Sequence, residues 1–310
     1  MRILVVGAGA VGGYFGGRML AAGRDVTFLV REKRAQLLAQ NGLQIRSPVG
    51  DLTLTNPPTV QKQDLQQAYD LVILSCKAYD LADAIESFAV AVGPETTILP
   101  LLNGLQHLDV LAARFGAEKI LGGQCVIAST IDADGAIRHL NTFHGMTFGE
   151  RDGPVSPRVK AIEQQLAGAG FDVNVSIAIL QSMWEKWIML ASLAGSTSLM
   201  RSSIGDIMQA SGGLEFVSGL LDEASGVAAA NGHVPGGPFF ERTRKMLTEA
   251  GSTLTASMFR DIGNGARIEA DHIIGDLLRR GREAAVKTDL LQVVYTHLKT
   301  YEARLHNKPA

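Results

Sequence analysis

The hydrophobic positions follow two patterns along the chain. Through the first half, short apolar runs alternate with helical stretches. Arg2-Ile-Leu-Val-Val6 has the run length of a buried parallel strand. Residues 11–22 carry a helical pattern stopped by Gly23, and Asp25-Val-Thr-Phe-Leu-Val30 is the next strand, closing a βαβ unit. Asp70–Ser75 and Thr97–Leu102 predict two further core strands. Leu43–Arg46, Pro48–Gly50 and Leu52–Thr55 predict a small hairpin on the rim of the same sheet. Lys119–Ala128, Ala136–Leu140 and Met146–Gly149 are strands with no crossover helix between them, which makes this part of the sheet antiparallel, with a turn at Asp132–Gly135. A helix at Pro157–Ala169 and a last strand at Phe171–Val175 complete the half.

Beyond about residue 178 strand patterns stop. Helices are predicted over 179–200, 203–208, 213–232, 237–262, 264–281 and 286–306. The expected architecture is α/β: a doubly wound sheet domain over residues 1–177, then an all-α domain over 178–310. A helical domain behind a nucleotide domain is a common enzyme layout, with the site in the cleft between them.

The first candidate chemistry lies where the first strand turns into the first helix. Gly7-Ala8-Gly9-Ala10-Val11-Gly12 is a GxGxxG motif in the setting that gives it meaning. Gly7 permits the tight turn, Gly9 leaves room for a pyrophosphate, and Gly12 allows close helix–strand packing. The N–H groups of the helix start face the phosphates. A purely structural glycine turn is the alternative. The residues after the second strand choose between cofactors. Arg31 sits there, with Lys33 and Arg34 adding positive charge, which favours the 2′-phosphate of NADP; Glu32 is the counter-signal, suited to a 2′-hydroxyl. Lys77 and Asn103 follow the third and fourth core strands and are expected on the same carboxyl-end rim as the glycine loop. A solvated lysine and an ordinary Asn-Gly turn are the plain readings of each.

Two more candidates fall in the helical half. Lys186 stands in Trp184-Glu-Lys-Trp187 at the head of an apolar helix. Such a lysine can simply snorkel to water. In an apolar site it can also donate a hydrogen bond, then a proton, to a ketone oxygen. Glu269, His272 and Asp276 share a helical face, which reads as a solvated polar face or as a metal-like cluster with no second ligand motif; no metal is expected. Ser257 lies just upstream.

Composition narrows the classes. The 310 residues carry 29 Lys+Arg against 31 Asp+Glu, so no polyanion-binding surface and no nucleic-acid partner are expected. Cys76 and Cys125 have no metal-like spacing and suit buried thiols in a reducing cytoplasm. Glycines interrupt the N-terminal apolar stretch, which argues against a signal peptide. The apolar run from Ile188 to Met200 is too short to span a bilayer, so no membrane partner is expected either.

In this order and spacing, the glycine loop, Arg31, Cys76-Lys77-Ala78, Asn103-Gly104, Ala128 before the Asp134-Gly135 turn, Trp184-Glu-Lys186, Ser257-Met258 through Asp261, and Arg267-Ile-Glu269-Ala-Asp271 resemble the ketopantoate reductase family (2-dehydropantoate 2-reductases of the ApbA/PanE type) over nearly the whole length. The resemblance implies a Rossmann-type NADP(H) domain followed by an all-α domain, and reduction of ketopantoate to pantoate, a step towards pantothenate. It implies Lys186 as general acid and Glu269 beside the nicotinamide ribose, orienting Lys186. Ser257 would bind the substrate, Asn103 both cofactor and substrate, and Ala128 the cofactor through its backbone. A homodimer through the helical domain is a further expectation. The departures lie in the substrate pocket. Leu190, Ala194 and Ile204 stand where the family usually has asparagines. That opens an alternative, a more apolar 2-keto acid on the same scaffold, with Ser196, Ser198 and Arg201 as replacement contacts. A cofactor-binding sensor without turnover is the rival from another class, and the joint presence of Lys186 and Glu269 argues against it.

Overall fold

A computed structural model describes residues 1–307. The chain forms two compact units. The first comprises Met1–Leu102 with His107–Leu180; the second comprises Asn103–Gln106 with the chain from Gln181 onward.

The first unit contains β1 (Arg2–Val6), α1 (Gly12–Ala21), β2 (Asp25–Leu29), α2 (Glu32–Asn41), β3 (Leu43–Arg46), β4 (Leu52–Leu54), β5 (Thr59–Val60), β6 (Leu71–Leu74), α3 (Leu81–Phe88), β7 (Thr97–Pro100), α4 (Gln106–Phe115, whose first residue is grouped with the second unit), β8 (Gly122–Ile131), β9 (Ile137–Gly149), α5 (Pro157–Leu166) and β10 (Asp172–Val175). Five parallel strands form the first sheet in the order β5-β2-β1-β6-β7, the doubly wound α/β arrangement. Its central strands are apolar along their length because both faces are covered: Ile3, Leu4, Leu71, Val72, Ile73 and Leu74 have no exposed surface. Val6 is in register with Leu29 and Leu74, so the turns after β1, β2 and β6 emerge on one rim.

The antiparallel region is a second sheet rather than an extension of the first. β10, β9, β3 and β4 lie side by side, with β8 on β9. The 43–55 hairpin therefore belongs here, because β3 takes a place beside β9. The two strands expected at 136–140 and 146–149 are one long strand, β9, which pairs with β8 on both sides of an irregularity. The short edge strand β5 carries too little pattern to be read from sequence. Cys125 is buried as expected, whereas Cys76, at the exposed end of β6, is only half-buried.

The second unit is helical: α6 (Ile179–Met200, which begins in the first unit), α7 (Ile204–Gln209), α8 (Gly213–Ala230), α9 (Gly237–Leu247), α10 (Ser257–Gly263), α11 (Asp276–Glu283) and α12 (Asp289–His306). Its core joins Leu220, Leu221 and Val227 of α8 to Leu291, Val294 and Leu298 of α12, all at most 1% exposed. Both carboxylate oxygens of Glu223 on α8 accept the N–H groups of Leu290 and Leu291 at 3.0 and 2.9 Å, satisfying two orphan donors of α12. Ser203 and Asp206 form a reciprocal capping box that starts α7. The helix expected over 237–262 is broken into α9 and α10. The intervening segment pays its hydrogen bonds outward: the carbonyls of Ser252 and Leu254 accept the N–H groups of Gly205 and Ile204 at 2.7 and 3.1 Å. The helix expected from 264 begins only near Ala270, after the turn at Asn264–Gly265, and opens with a π-helical turn over Asp271–Gly275.

Candidate functional site

In the first unit the glycine loop closes β1 onto α1. Gly7 has φ +94°, a conformation that disfavours any side chain. A methyl group at Gly12 would collide with Ser75 Oγ and the Gly7 carbonyl oxygen, so the helix start can lie this close to the sheet only without one. Above Gly9, by contrast, a Cβ would meet nothing within 4 Å. The loop's carbonyls are held from below: Arg34 Nε donates to Ala8 O at 2.9 Å, and Ser129 Oγ to Ala10 O at 3.1 Å. The first turn of α1 holds no acidic residue to neutralise its positive end. The open face above Gly9 and the uncompensated helix start therefore fit a dinucleotide pyrophosphate, which Gly7, Ala8, Gly9, Ala10, Val11 and Gly12 would hold.

The basic residues after β2 divide in a way the sequence does not reveal. Arg34 was expected to add charge for a 2′-phosphate. Instead it folds beneath the loop, bonding Ala8 and the Gly135 carbonyl at 2.8 Å, and burial lowers its pKa. Arg31 points outward from the N-cap position of α2, with its side chain 70% exposed, and Nη2 lies 2.7 Å from Asp83 and 3.5 Å from Asp80. Lys77, exposed, stands on the same rim just beyond β6. Ala128 occupies the irregularity in the β8–β9 ladder between Ile127 and Ser129; its N–H leaves the ladder and donates to Asn141 Oδ1 at 3.4 Å.

In the second unit, one residue ties the candidates together. Trp187, next to Lys186 on α6, is 1% exposed. Its indole Nε1–H donates to the carbonyl of Ile273 in the π turn at 2.9 Å. Its ring stacks at a tilt on Trp184, with centroids 4.9 Å apart, and the Arg280 guanidinium lies 5.9 Å from its centroid. Gly104, φ +76°, comes so close that a Cβ there would lie 2.8 Å from the His272 carbonyl oxygen and 3.9 Å from the Trp187 ring. Asn103, Lys186 and the π turn after Glu269 are thus fastened around one indole. Glu269 itself is 8% exposed, and its carbonyl accepts the Ile273 N–H at 3.0 Å.

The π turn is held from its other side by Tyr295. Its hydroxyl donates to Asp271 at 2.7 Å, and burial with that bond pushes its pKa up to about 12. Asp276 is fully buried and takes Arg279 and Arg280 at 2.6 and 2.9 Å, which explains its place in the polar cluster without a metal. His272 is held below the ordinary histidine range by burial, against the pull of Glu269, Asp276 and Asp271.

Lys186, Leu190, Ala194 and Thr197 follow one face of α6. Thr197 Oγ1 accepts the Ala256 N–H at 3.3 Å, just before Ser257 opens α10 with its side chain exposed. Ala194 and Ile204 are 3% and 0% exposed. Of the replacement contacts expected, Ser196 is spent on its own helix, donating to the Ser192 carbonyl at 2.7 Å. Ser198 Oγ is buried with no hydrogen-bond partner among the described residues. Arg201 lies exposed at the end of α6 with φ +56°. Trp187 was legible in the sequence only as a neighbour of Lys186. Its role depends on the π turn, which no periodicity predicts.

The fold and this arrangement define a nucleotide-binding oxidoreductase with a Rossmann-type domain and an all-α domain. Residues 3–153 match the family model "Ketopantoate reductase PanE/ApbA" and residues 178–302 match its C-terminal counterpart. The chain belongs to the ketopantoate reductase family. It is 37% identical to the uncharacterized oxidoreductase YkpB of Bacillus subtilis, over 98% of this chain and 99% of that protein. It is 26% identical to a 2-dehydropantoate 2-reductase of Halobacterium salinarum, over 95% and 96% of the two chains. The crystal structure of 2-dehydropantoate 2-reductase from Geobacter metallireducens superposes with a TM-score of 0.87 at 26% identity, over 97% and 99%. The family's members are oxidoreductases acting on the CH–OH/C=O couple with NADP(H), and NADPH-dependent reduction of 2-keto acids is its chemistry. Among the described residues no helix is long and apolar enough to cross a membrane.

Proposed function

We propose that this protein reduces 2-dehydropantoate to pantoate with NADPH. In this reading residues 1–177 chiefly hold the cofactor, through the glycine loop, Arg31, Lys77 and Ala128. Residues 178–310 supply the acid and, with Asn103, the substrate contacts. The observation that carries it is the Trp187 indole, which draws Lys186, the Asn103 turn and the backbone after Glu269 to one point.

When bound, NADPH supplies the hydride that the keto carbon accepts. Lys186 donates a hydrogen bond to the keto oxygen and, as the carbon–oxygen double bond becomes single, transfers a proton to it. The products are the hydroxy acid and NADP+, and the neutral amine recovers its proton from solvent. Glu269, anchored before the π turn, orients the ammonium and faces the nicotinamide ribose. Asn103 and Ser257 bind the substrate's polar groups.

A second reading is favoured by Leu190, Ala194 and Ile204. A pocket built to bond a substrate hydroxyl loses about 1–3 kcal/mol for each partner removed, so these apolar residues suit a 2-keto acid with an apolar side chain. One experiment separates the readings: loss of NADPH absorbance with a panel of 2-keto acids, ketopantoate included. Ketopantoate turning over well above the others supports the first reading; preference for an apolar keto acid supports the second. Lys186→Ala is expected to lower kcat by several orders of magnitude with NADPH affinity nearly intact. Near-normal turnover in that variant refutes the assignment of Lys186.

A further inference from the structure

The outward arginine that the proposed function assigns to the 2′-phosphate is already engaged. Arg31 Nη2 is shared by Asp83 Oδ2 at 2.7 Å and Asp80 Oδ1 at 3.5 Å. Asp80 ends the connection between β6 and α3 and Asp83 lies in the first turn of α3, on the neighbouring segment of the same rim. Asp83 is a surface carboxylate, its side chain 60% exposed, already paired with Arg31 before any ligand arrives.

Two other basic residues stand beside Arg31 in the run after β2. Arg34 is committed to backbone carbonyls beneath the loop. Lys33 lies exposed on α2 beside Glu32, whose carboxylate takes Gln36 Nε2 at 3.2 Å. A doubly charged phosphate brought to Arg31 must therefore displace Asp83 or share the guanidinium with it. A 2′-hydroxyl meets no such competition, since it is uncharged and can itself donate to a carboxylate.

Resting on that assignment of Arg31, we propose that Asp83, with Asp80 behind it, is a specificity-determining residue. It competes with the 2′-phosphate for Arg31 and so holds down the preference for NADPH over NADH. Arg31 is the attractive element and Asp83 the restraining one, and the balance between them sets cofactor selectivity. An exposed ion pair is worth up to roughly a fivefold change in an equilibrium constant, which fixes the size of the effect.

The test is direct binding of NADPH and of NADH to the purified protein without keto acid, by calorimetry, for the wild type, Asp83→Asn, Arg31→Ala and the double variant. Asp83→Asn is nearly isosteric and lies on the surface, and its melting temperature checks the fold. NADPH affinity is expected to rise about fivefold in Asp83→Asn while NADH affinity changes by less than about twofold. The gain is expected to shrink at high ionic strength and to vanish in the Arg31→Ala background. If Arg31→Ala weakens NADPH but Asp83→Asn leaves it unchanged, or moves both cofactors alike, Asp83 is not a specificity determinant, and the assignment of Arg31 stands. If Arg31→Ala itself leaves NADPH affinity unchanged, that assignment falls and the competition with it.

Discussion

Trp187→Phe tests the central claim about the helical unit. The substitution keeps an aromatic ring beside Trp184 and removes the donor to the Ile273 carbonyl. A buried carbonyl left without its partner costs about 1–3 kcal/mol. The smaller ring leaves roughly 40 Å3 unfilled, which adds about 1 kcal/mol at ~24 cal/mol per Å3. The sum, about 2–4 kcal/mol, corresponds to a fall in melting temperature of roughly 6–15 °C. The functional effect has a different origin. Without the Nε1 bond the π turn is free to shift relative to α6, and a displacement near 1 Å between acting groups costs up to about a hundredfold in rate. kcat is expected to fall about ten- to a hundredfold. NADPH affinity, which the proposed function gives chiefly to the first unit, is expected to stay within about twofold of wild type. Leu220→Ala on α8 is the control: this fully buried residue should cost a similar 2–5 kcal/mol without touching the indole or the π turn. Steady-state kinetics at a temperature where both variants are folded, with thermal melts alongside, decide the matter. If Trp187→Phe and Leu220→Ala have the same kcat, Trp187 is a packing residue and the positioning argument is refuted.

Two further expectations concern the first unit. Gly12→Ala places a methyl group against Ser75 Oγ, the Gly7 carbonyl and, at 3.1 Å, Val5 Cγ1. It should lower stability by about 1–3 kcal/mol and weaken NADPH binding at least tenfold, with wild-type affinity by calorimetry counting against the loop's role. The second concerns pH. His144 Nδ1 lies 2.7 Å from the Tyr14 hydroxyl, and burial, then the neighbouring His139 and Arg18, hold its pKa below the ordinary 6.5. The unfolded chain therefore takes up the proton first. The contribution is intact above about pH 6.5 and is lost as pH falls from there towards the lowered native value. His233 and His272, also held low mainly by burial, act in the same direction. Thermal melts from pH 8 to 5 should show a steepening loss below about 6.5 that His144→Gln reduces; identical slopes would remove His144 from the account.

Much of the molecule was legible in the chain because its signals are local. Arg2–Val6, the glycine run and Asp25–Leu29 lie within thirty residues, and a βαβ unit with GxGxxG at its first turn has one common structural solution. The change from period-two and apolar-run patterning to helical patterning near residue 178 likewise needs no long-range information. The order and spacing of Lys186, Ser257 and Glu269 were enough to suggest the family. What the tertiary structure alone decided depends on partners distant in sequence. The 43–55 hairpin joins β9 rather than the first sheet, because strand pairing is chosen by what lies alongside and not by the strand's own pattern. Arg31 and Arg34 look equivalent as neighbours in a basic run. One is half-buried against Ala8 and Gly135 and the other meets Asp80 and Asp83, contacts 26 or more residues away that set opposite roles. Trp187 reads as an ordinary core aromatic until the π turn brings Ile273 to its Nε1. A π turn needs one extra residue fitted into a helix by its surroundings, and the surroundings here are Gly104, Trp187 and Tyr295, drawn from three separate parts of the chain.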